Sequence, residues 1–157
     1  MRSLVFGCVL MLAGPALAET DEHVTELDGA EIVHPWAQAS DGNSTRVFLE
    51  IHNSSDQTLE ITGGTSPDIA ETVTVMAAPI KASGVPQAIG SFPISAQSEF
   101  ALTPDSVYLL LDGVSRPLVE GDEFEMTLTI APYGEVEIHV EIEASEAENH
   151  SHAGHNH

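Results

Sequence analysis

Phe124, Met126, Leu128 and Ile130 alternate with Glu125, Thr127 and Thr129, and Val136, Ile138, Val140 and Ile142 alternate with Glu137, His139 and Glu141. A period of two is what a strand needs to bury one face and wet the other; a helix would repeat its apolar positions every three or four residues. Val47, Leu49 and Ile51 follow the same rule against Phe48, Glu50 and His52. Turn-forming runs punctuate these segments: Asn53-Ser54-Ser55-Asp56, Gly63-Gly64, Thr103-Pro104-Asp105, Glu120-Gly121-Asp122 and Pro132-Tyr133-Gly134. Many short strands with no helical pattern between them predict an all-β, antiparallel sandwich or barrel over residues 30–143. Met76 to Ile94, broken by three prolines and two glycines, is the least regular part and reads as a long hairpin or crossing loop.

The flanks are of another kind. Arg2, the apolar run Leu4 to Leu12, the breakers Gly14 and Pro15, and Ala16-Leu17-Ala18 read as an export signal cleaved near Ala18. Cys8, the chain's one cysteine, lies inside that run, so the mature protein has no disulfide and no thiolate. Residues 19–29 read as a loose acidic leader, and residues 144–157, almost without apolar side chains, as a disordered tail. The whole chain has 25 acidic residues and four basic ones, for a formal charge of −21. Nucleic acid and anionic lipid surfaces are bound largely through Lys and Arg, so both are excluded as partners. This acidity fits a solubility adaptation and does not by itself indicate metal binding.

Several local patterns together resemble one family. His34-Pro35-Trp36-Ala37 opens the body, followed by Phe48-Leu49-Glu50-Ile51-His52-Asn53 and Thr65-Ser66-Pro67. Then comes Gly113-Val114-Ser115-Arg116-Pro117-Leu118-Val119-Glu120-Gly121-Asp122, the most specific stretch, and Gly134-Glu135-Val136 begins the last strand. Over most of residues 32–142 the chain resembles the periplasmic copper chaperones called PCuAC. The resemblance implies a cupredoxin-like (Ig-like) β-sandwich, a periplasmic location, and a protein partner in copper handling or oxidase assembly such as a cytochrome oxidase CuA centre. It also implies a copper site built from a His, a Met and a later His-x-Met pair. Anchored on Gly113, that pair falls on Tyr108 and Leu110, the first His near Val75 to Ala77 with Met76 the best match, and the central Met near Gln87-Ala88. Only Met76 keeps a ligand atom, and one thioether does not hold Cu(I) alone. By the same comparison Met76, Tyr108 and Leu110 form an apolar, aromatic spot.

The remaining metal chemistry is at the C-terminus. His150, His152, His155 and His157 form two His-x-His pairs on either side of Ala153-Gly154. Imidazole suits copper as Cu(II), and also zinc or nickel; Met76, elsewhere in the chain, offers a thioether of the kind that suits Cu(I). Capture by a flexible tail costs ordering entropy, which favours an exchangeable ion, and the ion should leave as pH falls through about 6.5. His52 and His139 read as solvated strand residues, His34 lacks a partner at ligand spacing, and His23 lies in the leader.

No Gly-rich phosphate loop, Gly-x-Ser-x-Gly elbow or His-Glu-x-x-His motif is present, so no enzyme is expected. The expectation is a periplasmic copper carrier or accessory protein that loads through its tail. The alternative is an interaction module of the same fold without copper chemistry, its tail a zinc, nickel or copper buffer or incidental.

Overall fold

The computed structural model describes residues 24–81 and 83–148, and among these there are eleven strands and no helix. They are β1 (Val24–Leu27), β2 (Ala30–Gln38), β3 (Ser44–Asn53), β4 (Leu59–Thr65), β5 (Thr72–Ala77), β6 (Gln87–Ala88), β7 (Phe92–Ile94), β8 (Ser98–Ala101), β9 (Val107–Asp112), β10 (Glu123–Ala131) and β11 (Gly134–Glu143). The order β6-β5-β9-β3-β2-β11-β10-β4-β7 forms one sheet, with β1 added to β2 and β8 to β3. β4 and β5 stand near opposite ends of that order yet pack together, so the sheet curls over its own core as a sandwich. The all-β expectation holds. Its pairing is antiparallel except for β2 with β11, where Trp36, Ala37 and Gln38 run parallel to Glu141, Ile142 and Glu143.

The alternating residues do what their period requires. Met126, Leu128, Ile130, Ile138, Val140 and Ile142 are buried, while Glu125, Glu137 and His139 are exposed. They join Ile32, Val47, Leu49, Ile51, Leu59, Ile61, Leu109 and Leu111 in one apolar core.

β2 turns the corner of the sandwich. Its register against β3 shifts between Val33 and Trp36, and His34 takes a φ of +47° in that bulge. A bulge adds a residue to one strand and bends it. The first half of β2 then pairs with β1, and the second half with β11.

Two boundaries differ from the sequence reading. The stretch read as a loose leader contains β1, whose Val24 and Leu27 pair with Val33 and Ala30. Asp28-Gly29 makes the turn, with Gly29 at φ +83°, so the described fold begins six residues before Ala30. At the other end the start of the tail is docked: Gln38 Nε2 donates to Ala147 O at 2.9 Å, and Ala147 N donates to Ala144 O. The signal segment, the rest of the leader and residues 149–157 lie outside the described residues.

Candidate metal-binding surface

β3 carries Phe48, Glu50 and His52 on one face, and two different sites follow along it. At the Phe48 end, Trp36 from β2 stacks at 4.5 Å between ring centroids and Tyr108 from β9 lies at 6.3 Å. Phe48 is fully buried, so this end of the face is dry. Alternation had placed Phe48 outward with Glu50 and His52; Trp36 and Tyr108 cover it from the neighbouring strands. The Arg46 guanidinium sits 5.7 Å from the Phe48 ring centroid and 5.8 Å from that of Tyr108. Two hydrogen bonds to Gln38 Oε1, at 3.0 and 2.6 Å, hold it there.

Met76, Ala78, Leu110 and Ala147 pack on this three-ring cluster. Met76 is opposite Tyr108 on one side and Ala88 on the other, and Leu110 is opposite Thr74. The apolar, aromatic spot expected of Met76, Tyr108 and Leu110 is therefore present. The sequence reading left out Trp36, Phe48 and Arg46, which complete it. Beyond Met76, the β5–β6 connection exposes the large apolar side chains Ile80 and Val85. His150, His152, His155 and His157 are outside the described residues.

At the other end of the face the register assembles charge. Glu31 on β2 is opposite His52 on β3, and His52 is opposite Glu99 on β8. Glu50, two residues along β3, faces the same way. His52 Nε2 is 3.0 Å from Glu50 Oε1, and Nδ1 is 3.7 Å from Glu31 Oε2. One ligand atom each from Glu50, His52 and Glu99 lie within 4.8 Å of one another. A second set has the same form: Glu137 and His139 on β11 with Glu125 of β10 opposite His139. Both sets are built on a Glu-Ile-His tripeptide, at 50–52 and at 137–139. The repeated tripeptide was the signal in the sequence; the cross-strand glutamates were not visible without the register.

The hydrogen bond that His52 Nε2 donates to the Glu50 carboxylate raises the His52 pKa above its ordinary 6.5; partial burial opposes this, and the charges of Glu50, Glu99 and Glu31 add to the rise. The folded state thus takes this proton more readily than the unfolded chain. Its contribution to stability is complete below about 6.5 and is lost as pH rises through the folded value. An NMR titration of the His52 ring is expected to give a midpoint above about 6.5. Glu50→Gln should bring it down, and an unchanged midpoint would remove Glu50 as the main cause.

Comparison with known proteins places this architecture. The PCuAC domain of PmoF2 in its apo form superposes with a TM-score of 0.69 at 23% identity, covering 82% of this chain and all of that one. The copper-bound PCuAC domain from PmoF2 gives 0.66 at 23% identity, over 78% of this chain and 98% of that one. The fold is that of PCuAC domains. A protein of Leifsonia xyli subsp. xyli named "Putative lipoprotein Lxx21020" is 29% identical over 127 residues, 78% of this chain and 72% of that protein. The profile described as "Putative lipoprotein LpqE-like" matches residues 30–142, and the chain belongs to this LpqE-like family.

Proposed function

We propose that this protein is an exported, non-enzymatic copper carrier that loads through His150, His152, His155 and His157 and hands its ion to a protein partner. The observation that carries the reading is the docking of Ala147 on the Trp36–Phe48–Tyr108 cluster. It roots the histidine tail on the same cluster as Met76. His150 follows Ala147 by three residues, a reach of roughly 10 Å when extended. A chain of that reach can offer imidazoles to the same ion as the Met76 thioether, a mixed N and S set that accepts copper.

The positions implied by the PCuAC resemblance support a body that has given up its own copper site. Met76, Tyr108 and Ala88 stand side by side on β5, β9 and β6, yet only Met76 offers a ligand atom. The Arg46 cation lies over the ring that takes one ligand position, where its charge opposes a metal ion. Ile80 and Val85 give a partner apolar surface to grip beside Met76.

Export is common to this reading and to the lipoproteins of the family's name, but Cys8 falls within the apolar run rather than after it. Release into the periplasm after cleavage near Ala18 follows from that placement.

The protein recovered from the periplasm should have the mass of a chain starting at Glu19. Calorimetric titration with Cu(II) near pH 7 should show one strong event, weakened at least about tenfold when all four tail histidines become alanine. The loaded protein should then transfer copper to an apo-CuA domain. Equal Cu(II) binding by the two proteins would remove the tail from the mechanism, and binding without transfer would leave a buffer.

A further inference from the structure

We propose that Glu50, His52 and Glu99 form a second metal site on the folded body, for a divalent cation of the Zn(II) type, with Glu31 orienting the histidine. The site is independent of the tail and of Met76.

The strand register builds it. Glu31, His52 and Glu99 form one rung across β2, β3 and β8, and Glu50 lies on the same face two residues along. Each ring nitrogen of His52 already faces a carboxylate, at 3.0 Å from Nε2 and 3.7 Å from Nδ1. This is the division a metal-bound histidine uses: one nitrogen on the ion, the other donating its N–H to a carboxylate that fixes the ring. Nε2, Glu50 and Glu99 supply the ligand atoms, and Nδ1, 3.7 Å from Glu31, reaches its carboxylate as a hydrogen-bond donor once that glutamate side chain rotates towards it. On binding, the Nε2 proton passes to solvent and the cation takes its place beside Glu50.

Bonds of about 2.0–2.2 Å put neighbouring ligand atoms of a tetrahedral ion about 3.4 Å apart. The present set lies within 4.8 Å, and Glu99 is exposed, so side-chain rotation closes the gap without backbone movement. One imidazole and two carboxylates, with no sulfur, suit a borderline divalent cation rather than Cu(I). Charge favours the same occupant. Three carboxylates surround one histidine, and among the described residues no Lys or Arg pairs with them. The set Glu125, Glu137 and His139 has the same donors but is wholly exposed. It is an internal comparison that should bind more weakly.

The test uses the full chain with its four tail histidines changed to alanine and its remaining histidine rings labelled with 15N. Titration with Zn(II) near pH 7 should move the His52 Nε2 resonance to saturation at one equivalent, ahead of His139. Glu31→Gln should weaken the site about ten- to a hundredfold, as loss of such an outer carboxylate does. Glu99→Gln should weaken it too, with the backbone amide spectrum unchanged in both. The proposal is overturned if the His52 ring does not respond by about a thousandfold more Zn(II) than a site of ~1 μM would need. It is equally overturned if His52 and His139 respond together and neither glutamine variant matters, since that is adsorption to an acidic surface.

Discussion

Phe48→Ala is expected to lower the free energy of unfolding by about 3–5 kcal/mol, enough to unfold a marginal domain of this size. Phe48 has no exposed surface, and its ring is enclosed by Trp36 on β2, Tyr108 on β9 and the Arg46 guanidinium. Its loss removes buried apolar area and leaves a cavity between rings that backbone pairing holds apart. Phe48→Leu refills most of the volume and should forfeit mainly the ring contacts, about 0.5–1.5 kcal/mol for each aromatic pair. Phe100 provides the contrast: it stacks on Phe92 at 4.6 Å but is only half-buried, so Phe100→Ala should cost clearly less. Urea denaturation of the three variants orders them. If Phe48→Ala cost no more than Phe100→Ala, the cluster would be surface decoration rather than a second core. The role proposed for the tail depends on the outcome, because Ala147 and Met76 both rest on these rings.

Phe48 also marks where sequence reading stops. The period of two in β3, β10 and β11 is a local property, and those strands were legible because each presents enough alternating residues to define a face. Whether that face is wet depends on which strands lie beside it. Phe48, Glu50 and His52 share one face of β3, yet Trp36 and Tyr108 bury the first while Glu31 and Glu99 surround the last. β1 was missed for a related reason. Val24-Thr25-Glu26-Leu27 has two apolar residues among acidic neighbours, too few for a pattern, and its stability comes from the register with Val33 and Ala30. The candidate metal cluster is the same lesson in charge. Glu-Ile-His is visible twice in the sequence, but Glu99 meets His52 only through β3–β8 pairing, 47 residues along the chain. The spot at Met76, Tyr108 and Leu110 was legible through family resemblance, which assigns copper ligands to those positions.

Gly64→Ala is expected to destabilise the fold by about 1–3 kcal/mol or more, although glycine-to-alanine changes at unstrained sites usually stabilise by ~0.4–1 kcal/mol. The cause is backbone proximity, not dihedral preference. Gly64 pairs with Leu128 where the register of β4 against β10 shifts, and a Cβ there would run into the Thr127 carbonyl oxygen and press on Met126 Cε. Met126 could rotate away, but the Thr127 carbonyl belongs to a sheet strand and moves only if the β4–β10 pairing opens. The neighbouring Gly63, at φ +136°, supplies the conformation that lets the strands come so close. Gly42 is the control. It lies in the turn before β3, and its nearest neighbour to an added Cβ is Ser40 Oγ at 3.5 Å, an ordinary contact. Gly42→Ala should therefore be neutral or slightly stabilising through the unfolded chain. Thermal and urea unfolding of the two variants should move in opposite directions or differ by more than about 1 kcal/mol. Equal behaviour would mean that β4 and β10 are not held at this spacing. The curl of the sheet, which brings β4 against β5 and closes the core, would then need another explanation.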